Sequence, residues 1–489
     1  MEEFILTDDI FEQIKDFDHE DLTKEQILLI DKLILNEELK IRYKRNGLCK
    51  KCKQLNTANY IIWCMSCNAK NFQQNFKNWT SGNHEVDKFI QKAQLKAKNV
   101  HEVLEWIEYD RFENVEYLTK GGFGTIYKAI WKDGWIKSWD FENNKWIRNK
   151  YYCRRYENFP VVLKCLYNSQ DITSDFLREI ETHIFFSENI DIEIDNLTSW
   201  CFGITKDPES RNFMMVMGYA KDGSLRQHLN NSFNSIKWYK KLDILRTVVE
   251  GLDFIHQKGL IHRDFHCGNI LKDDDFTFIT DLGLCRPANV KSSQNECKEL
   301  YGVLPYVAPE VLRGKEYTQE SDIYGFGIIA YEVCTGLPPY HDIGHDKFLA
   351  ISICQGLRPK SNYKIPQLIL NIIKQCWDAD PLKRPKANKL QDLLRNLQYS
   401  SEDHEINKQI EEANKINKKL TSSSSLYTGP TLSYTTNPQA VYTSRLLNFK
   451  NLPEPKNTID NKDDDNLFGE YSESTEAIDF TKLDLDKSS

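Results

Sequence analysis

The chain has 489 residues, of which 40% are hydrophobic, so it is long enough for one large domain with additional segments. Its formal net charge of -8 gives no basic field of the kind that attracts nucleic acid or anionic lipid, and neither is expected as a partner. The acidic start and the lack of any stretch of about twenty apolar residues argue against a secretory signal or a membrane span, and they predict a soluble, cytoplasmic protein.

The first 45 residues predict short amphipathic helices that lean on the segment that follows. Apolar side chains recur among charged ones at Phe11, Ile14, Leu22, Ile27, Leu28, Leu33 and Leu35. We therefore assign residues 1–45 to a helical segment.

Residues 46–100 predict a small zinc-binding unit with a helix. Two Cys-x2-Cys pairs, Cys49 with Cys52 and Cys64 with Cys67, offer enough thiolates to surround one tetrahedral Zn2+. The alternative is a small helical unit with four incidental thiols. Positive charge is not concentrated as nucleic-acid recognition requires, so we expect this unit to dock a partner or to regulate the chain. The aromatic side chains expected to pack around the site are Trp63, Phe72, Phe76 and Trp79.

The remaining cysteines suit a reducing compartment. The chain has thirteen, an odd number, and nine of them are scattered singly from Cys153 to Cys376. This distribution favours reduced thiols in a cytosol over a disulfide framework.

Residues 112–398 predict an α+β domain with two lobes, because strand-like segments come first and long helical segments follow. A glycine cluster lies early in this region, in the run Gly121-Gly122-Phe123-Gly124. In a strand-turn-strand unit it would let backbone N–H groups approach phosphates. The alternative is a plain hairpin turn.

A lysine at the end of a buried strand comes next. The run Val161-Val162-Leu163-Lys164 places a charge where it needs a carboxylate or a phosphate as partner. Glu179 is a candidate, because Phe176, Ile180 and Ile184 recur every four residues and predict the packed face of a helix. The alternative is a solvated glutamate beside a lysine at the strand end.

Two carboxylates and an amide then follow a helix with one apolar side. Asp264 and Asn269 lie five positions apart and could accept a hydroxyl proton and bind a metal, respectively. Asp281, in Phe278-Ile279-Thr280-Asp281-Leu282-Gly283, offers a second metal carboxylate after a short strand. Phosphoryl transfer needs such groups, because it depends on holding ATP, supplying metal ligands and orienting a hydroxyl.

This ordered set resembles the protein kinase superfamily, whose signatures pair a strand lysine, a His-Arg-Asp loop and an Asp-x-Gly metal motif. The resemblance extends to Ala308-Pro309-Glu310, to Ser321-Asp322-Ile323-Tyr324-Gly325-Phe326-Gly327, and to Arg384, which in the family pairs with the Glu310 equivalent. Within the superfamily the chain looks most like the tyrosine-kinase-like branch, and particularly an expanded fungal set of kinase-like proteins.

The resemblance implies a role for each site residue, with ATP and Mg2+ as cofactors and proteins as substrates. Lys164 would grip the α- and β-phosphates while paired with Glu179, Asp264 would orient the acceptor hydroxyl, and Asn269 with Asp281 would hold magnesium. The residues that would contact the nucleotide are Gly121, Gly122, Phe123, Gly124, Ile126, Val162, Lys164, Met217, Tyr219, Ala220 and Leu271.

Three positions depart from the usual family pattern. Thr119 replaces the first loop glycine, His266 replaces the lysine common in serine/threonine kinases, and Val303 replaces a threonine that abuts the catalytic loop. The arginine typical of tyrosine kinases is also absent, since His266 and Gly268 occupy its positions. We expect serine or threonine to be the acceptor more than tyrosine.

The insertion, the segment that contains Ser292 and Ser293, and the C-terminal residues have sequence patterns that are less specific for one structure or function. The insertion at 129–160 predicts an extended hairpin. Ser292 and Ser293 are candidate activating phosphorylation sites, with solvated loop residues as the alternative. Residues 399–489 predict a helical stub and then a disordered tail, because the composition offers too little apolar surface to offset chain entropy.

Three functions therefore compete. An intracellular signalling protein kinase is the main interpretation. A pseudokinase scaffold would bind partners through the N-terminal unit and the tail, but such scaffolds usually lose at least one of the catalytic residues. A zinc-dependent nucleic-acid binder ranks last, because the charge is unsuitable.

Overall fold

The computed structural model describes residues 6–49, 51–58, 63–122, 124–150, 159–167, 169–170, 172–186, 200–288, 300–399, 404–423 and 432–457. Several sequence predictions concern residues outside these ranges. They are the predictions for Phe123, for Ser292 and Ser293, and for the end of the tail after residue 457.

Five helices form the N-terminal unit. They are α1 (Asp8–Ile14), α2 (Lys24–Leu33), α3 (Glu37–Asn46), α4 (Met65–Asn75) and α5 (His84–Lys96). Side-chain caps fix where the helices begin: Thr23 and Gln26 form a reciprocal capping box at α2, and Asn36 caps α3. The buried Tyr43 of α3 donates its hydroxyl to the carbonyl of Ile14 at 3.0 Å, which joins α3 to α1.

A six-stranded sheet forms the smaller lobe. Its strands are β1 (Glu105–Trp106), β2 (Phe112–Lys120), β3 (Gly124–Trp131), β6 (Phe159–Leu166), β7 (Cys201–Lys206) and β8 (Phe213–Gly218). The order is β1-β7-β8-β6-β3-β2, with β1 parallel to β7 and the other neighbours antiparallel. Side chains alternate along β6, so Val161 and Leu163 enter the sheet core while Val162 and Lys164 lie on the other face. Helix α6 (Ser174–Phe186) packs on that second face through Phe176.

An extended hairpin interrupts this sheet, as predicted for the 129–160 insertion. It consists of β4 (Trp135–Asp140) and β5 (Lys145–Asn149), which pair in antiparallel register. Arg148 of the hairpin forms an ion pair with the buried Glu105 of β1, which fixes the hairpin to the edge of the lobe.

The larger lobe is helical. Its helices are α7 (Leu225–Ser232), α8 (Trp238–Gln257), α9 (Pro309–Leu312), α10 (Gln319–Thr335), α11 (Lys347–Cys354), α12 (Gln367–Cys376), α13 (Ala387–Tyr399) and α14 (His404–Ser423). Its short strands are β9 (Leu260–Ile261), β10 (Ile270–Asp273), β11 (Phe276–Ile279), β12 (Arg286–Pro287), β13 (Leu300–Gly302) and β14 (Arg445–Leu447). With a six-stranded sheet in the smaller lobe and most of the described helices of the domain in the larger one, the predicted two-lobed α+β fold is confirmed. Among the described helices, none has the length and apolar character needed to cross a membrane.

Helix α10 is the centre of the larger lobe, because every residue from Ser321 to Thr335 is buried. Gly327 allows it to approach α12 closely, since a Cβ there would lie 2.7 Å from Cys376 Cβ. The predicted brace is also confirmed: Arg384 Nη1 and Nη2 lie 2.7 and 2.8 Å from the two carboxylate oxygens of Glu310. Such a bidentate pair holds the two segments in one orientation.

The prediction of a disordered tail is wrong for residues 432–457, which we call the C-terminal strap. The strap runs across the larger lobe, and its strand β14 pairs with β13 in the register Leu300 with Leu447 and Gly302 with Arg445. Leu447 and Leu452 are buried in the core of the lobe. The buried Leu447 and Leu452 and the backbone hydrogen bonds to β13 hold this segment in place. The prediction considered only the average composition of the tail, which does not show such individual contacts.

Candidate active site

A buried lysine between two carboxylates lies where the lobes meet. Lys164 Nζ lies 2.5 Å from Glu179 Oε1 on α6 and 2.9 Å from Asp281 Oδ1 at the end of β11. Burial alone would lower the pKa of Lys164, but the negative charges of Asp281 and Glu179 outweigh it and raise the pKa above its ordinary value. The lysine therefore stays charged and joins the two lobes.

The loop of residues 262–269 is held from beneath by Asp322 of α10. The backbone N–H groups of His262 and Arg263 donate to the two oxygens of this carboxylate at 2.8 and 3.0 Å. Arg263 has a φ of 72°, a left-handed conformation that costs a non-glycine residue energy. The two bonds to Asp322 hold this turn and so set the direction of the residue that follows, Asp264.

Asp264 and Asn269 face each other across this loop. Asn269 Nδ2 donates to the Asp264 carbonyl at 3.0 Å and to Asp264 Oδ2 at 3.2 Å. The backbone of Asn269 also contacts the next motif, because the N–H of Thr280 donates to its carbonyl at 2.9 Å. Asn269 is thus tied both to Asp264 and to the residue before Asp281.

His266 lies beside the buried carboxylate of Asp264. Its Nε2 is 3.5 Å from Asp264 Oδ1, while its Nδ1 accepts a hydrogen bond from the N–H of Gly268 at 3.0 Å. With Nδ1 as acceptor, the ring proton is on Nε2 and faces Asp264. Burial alone would raise the pKa of Asp264, but His266, with smaller effects from His262 and the Ser444 hydroxyl, brings the pKa below its usual range.

The glycine-rich turn joins β2 and β3 above this site. Gly121 N–H donates to the carbonyl of Gly124 at 2.8 Å, which closes the turn. Gly124 must be glycine, because a Cβ would lie 2.2 Å from the carbonyl oxygen of Cys165 on β6. Gly122 is equally restricted, since a Cβ would lie 2.3 Å from the carbonyl oxygen of Ser444 in the strap.

The residues predicted to contact adenine lie on strands next to the cleft. Ile126 is the register partner of Lys164, and Val162 is the register partner of Met217. Tyr219 and Ala220 follow β8 directly, at the connection between the lobes. Leu271, on β10, forms an isolated bridge with Ser224 at the start of α7. Ile126, Val162 and Met217 therefore lie on the neighbouring strands β3, β6 and β8.

The strap contributes a residue to the site that the sequence did not indicate. Ser444 is only 8% exposed and lies under the glycine-rich turn, near Asp264. Its signal in the sequence is weak, because a serine in a polar tail is common. The apolar residues on both sides of it, such as Tyr442, Leu446 and Leu447, are the local indication of an ordered segment.

The four cysteines of the N-terminal unit form a second candidate site. Their sulfur atoms all lie within 4.8 Å of one another, with 3.8 Å between those of Cys49 and Cys67 and 3.4 Å between those of Cys52 and Cys64. A tetrahedral ion with Zn–S bonds of about 2.3 Å would separate its ligands by about 3.8 Å. The group therefore has the composition and dimensions of a structural zinc site.

Aromatic side chains connect the cysteine group to the hairpin. Trp63 is fully buried and donates its Nε1–H to the carbonyl of Ala97 at 2.9 Å. Trp146 of β5 stacks on Phe72 with ring centroids 4.4 Å apart and on Trp63 at 6.2 Å. Of the four aromatic residues predicted to pack around the cysteines, Trp63, Phe72 and Phe76 form one separate cluster with Trp146, and Trp79 packs in the cluster that contains Phe176.

Comparisons with known proteins agree with this geometry. A family profile described as protein tyrosine and serine/threonine kinase matches residues 112–394. A probable serine/threonine-protein kinase of Dictyostelium discoideum is 26% identical over 60% of this chain and 28% of its own length. A probable LIM domain-containing serine/threonine-protein kinase of the same organism is 28% identical over 65% of this chain and 47% of its own length. The chain thus spans less than half the length of these relatives.

Proposed function

The chain belongs to the family of protein tyrosine and serine/threonine kinases, and on this premise we propose that it transfers the γ-phosphate of ATP to serine or threonine in protein substrates. The observation that carries the proposal is the contact of Lys164 with both Glu179 and Asp281, beside a loop that presents Asp264. The relatives are named serine/threonine-protein kinases, which supports the same acceptor type here.

Each residue of the site has a chemical role in this proposal. Mg·ATP, when bound, supplies the transferable phosphoryl group. Lys164 would bind phosphate oxygens, and Glu179 would keep its ammonium in position. Asp264 would orient the acceptor hydroxyl and take its proton, while the Nε2–H of His266 would hold the carboxylate in place.

Magnesium would be held by Asp281 and Asn269. Both offer the oxygen ligands that this hard cation prefers. Because Asn269 Nδ2 donates to Asp264, its amide oxygen is the atom directed away from that residue. The Asp281 side chain is 26% exposed, so a metal-bound nucleotide can approach it from the cleft.

The nucleotide would lie between the glycine-rich turn and β10. The backbone around Gly121, Gly122, Phe123 and Gly124 would surround the phosphates, with Lys164 beneath them. Adenine would contact Ile126 and Val162 on one side and Leu271 on the other. After Met217, the backbone at Tyr219 and Ala220 would bind its polar edge.

We also propose that the catalytic domain belongs to the tyrosine-kinase-like branch. The support is Tyr306-Val307-Ala308-Pro309-Glu310 together with the glycine-containing α10 segment of residues 321–327. The resemblance to an expanded fungal set rests on the same segments. The alternative of a scaffold without catalysis is not favoured, because the catalytic residue types are all retained.

The N-terminal unit is proposed to bind structural zinc and to regulate the kinase domain with a docking partner. Cys49, Cys52, Cys64 and Cys67 would hold the ion as thiolates, which suits a cytoplasmic location. Helix α5 supports the regulatory role, because Ile90 packs in one cluster with Phe176 and Ile180 of the helix that bears Glu179. If so, Ile90→Ala should lower peptide phosphorylation more than Lys92→Ala on the exposed side of α5.

Phosphotransfer from Mg·ATP to a mixed peptide library, followed by phosphoamino-acid analysis, tests the main proposal. We expect phosphoserine or phosphothreonine from the native chain and none from Asp281→Asn. Transfer that persists in Asp281→Asn, or no transfer by the native chain, would reject the proposed function.

A further inference from the structure

The strap is anchored on both sides of Ser444. Before it, the Tyr442 hydroxyl donates to the carbonyl of Pro339 at 2.9 Å, and the guanidinium of Arg226 lies 4.2 Å from the Tyr442 ring centroid. After it, Arg445, Leu446 and Leu447 form strand β14 against β13. Residues 442–447 are thus held against the larger lobe, with Ser444 between the two sets of contacts.

Ser444 is placed between the glycine-rich turn and the proposed catalytic carboxylate. Its carbonyl lies against Gly122. The next residue, Arg445, is the register partner of Gly302, where a Cβ would lie 3.8 Å from Asp264 Oδ1. Ser444 Oγ and Asp264 Oδ1 are both buried, and among the described residues neither has a hydrogen bond of normal geometry. A buried hydroxyl without a hydrogen-bond partner is unusual, because such atoms normally find one, whereas Asp264 Oδ1 at least has Nε2 of His266 at 3.5 Å.

The strap also pairs in the manner of a bound peptide. Extended peptides often bind by adding a strand to an exposed edge, with alternate side chains entering pockets. Here β14 adds to β13, Leu447 is 5% exposed and Leu446 is 50% exposed. A buried leucine three positions after the hydroxyl would fix the register that brings Ser444 to Asp264.

We propose that Ser444 is phosphorylated intramolecularly by the chain's own active site, an inference that rests on the proposed kinase function. The Ser444 oxygen forms a bond to the γ-phosphorus of ATP while the bond from that phosphorus to the β,γ-bridging oxygen breaks, and ADP leaves. The hydroxyl proton passes to the Asp264 carboxylate and then to solvent. The strap is therefore a substrate segment of the kinase that carries it.

The product has a consequence for access to the site. A phosphoserine carries a charge of about -1.5 to -2, and here it would lie near the carboxylate of Asp264. Repulsion in this buried position favours release of residues 442–447 from the larger lobe. Phosphorylation of Ser444 thus opens the acceptor site to other proteins, and the unphosphorylated strap competes with them.

The test begins with full-length protein that has been dephosphorylated and then given Mg·ATP. Site mapping by mass spectrometry should show phosphate on Ser444, at a first-order rate that does not depend on protein concentration. Ser444→Ala should remove this phosphate, whereas Ser433→Ala, an exposed serine of the same strap, should not change its rate. The native chain should phosphorylate added peptide after a lag that follows Ser444 modification, and Ser444→Ala should remain slow.

The possible results of this test distinguish a failure of the Ser444 inference from a failure of the proposed kinase function. Phosphorylation of added peptide without any phosphate on Ser444 would overturn the inference and leave the kinase function intact, with the strap acting only as an inhibitor. A Ser444 rate that rises in proportion to protein concentration would overturn the intramolecular step. Failure to phosphorylate either the peptide or Ser444 would reject the kinase function itself.

Discussion

The ammonium of Lys164 lies 2.5 Å from the carboxylate of Glu179, although one residue is on the central sheet and the other on helix α6. This contact requires α6 to pack close to β6. The contact is therefore present only when α6 lies close to the sheet, and in that arrangement Lys164 could also reach a phosphate.

Glu179→Gln should lower the efficiency of peptide phosphorylation. The variant replaces the carboxylate that pairs with the Lys164 ammonium by a neutral amide, and a hydrogen bond to a charged group is worth about 1.5–3 kcal/mol. We expect a fall in kcat/KM of roughly 10- to 100-fold. Glu181→Gln, which changes an exposed glutamate two residues along the same helix, is the matched control and should retain activity. Equal kinetics for the two variants would contradict a functional Lys164–Glu179 pair.

His266→Ala should shift the pH profile of the enzyme. His266 lowers the pKa of Asp264, so its removal should raise that pKa. Asp264 must be deprotonated to accept a proton, and activity is lost as pH falls through its pKa. The acid limb of kcat/KM should therefore move to higher pH in His266→Ala but not in His228→Ala, which alters a histidine on α7. An acid limb at the native position in His266→Ala would show that His266 does not act on Asp264.

Leu447→Asp should release the strap without phosphorylation. A buried leucine side chain contributes about 1.5–3 kcal/mol, and a buried charge would add a further cost. Initial rates on added peptide should rise several-fold, and the lag should disappear. Leu446→Asp changes the exposed neighbour on the opposite face of β14 and should leave both quantities near the native values. A lag that persists in Leu447→Asp would argue against strap occupancy as its cause.

The purified chain should contain about one zinc ion, held by the four thiolates of the N-terminal unit. Elemental analysis should find no zinc in the double variant Cys49→Ser with Cys67→Ser, and an unchanged content in Cys201→Ala, which alters a lone buried thiol. Chelation should also change tryptophan fluorescence, since Trp63 is fully buried beside the group. Native protein that carries no zinc, with four freely titrating thiols, would contradict the proposed site.

The order of strand-like and helical segments was sufficient to predict the two-lobed fold, and the motifs that resemble protein kinases led to Lys164, Asp264 and Asp281 as candidate site residues. These residues belong to short segments in which strand, loop and chemistry follow one another along the chain. The place of the strap could not be predicted, because Leu447 and Ser444 owe their positions to Leu300 and Gly122, far away in the sequence. Asp322 is similar: its carboxylate matters because it binds the backbone of His262 and Arg263 from another helix.

Comparison of Asp264→Asn with the native chain, in nucleotide binding and in peptide phosphorylation, tests the central claim most directly. If Asp264 receives the acceptor proton, the variant should bind Mg·ATP with the native Kd while kcat falls by roughly 100- to 10,000-fold. Asp274→Asn, on the exposed turn between β10 and β11, should retain both properties. An Asp264→Asn variant that turns over at the native rate would contradict the assignment of this loop as the catalytic centre.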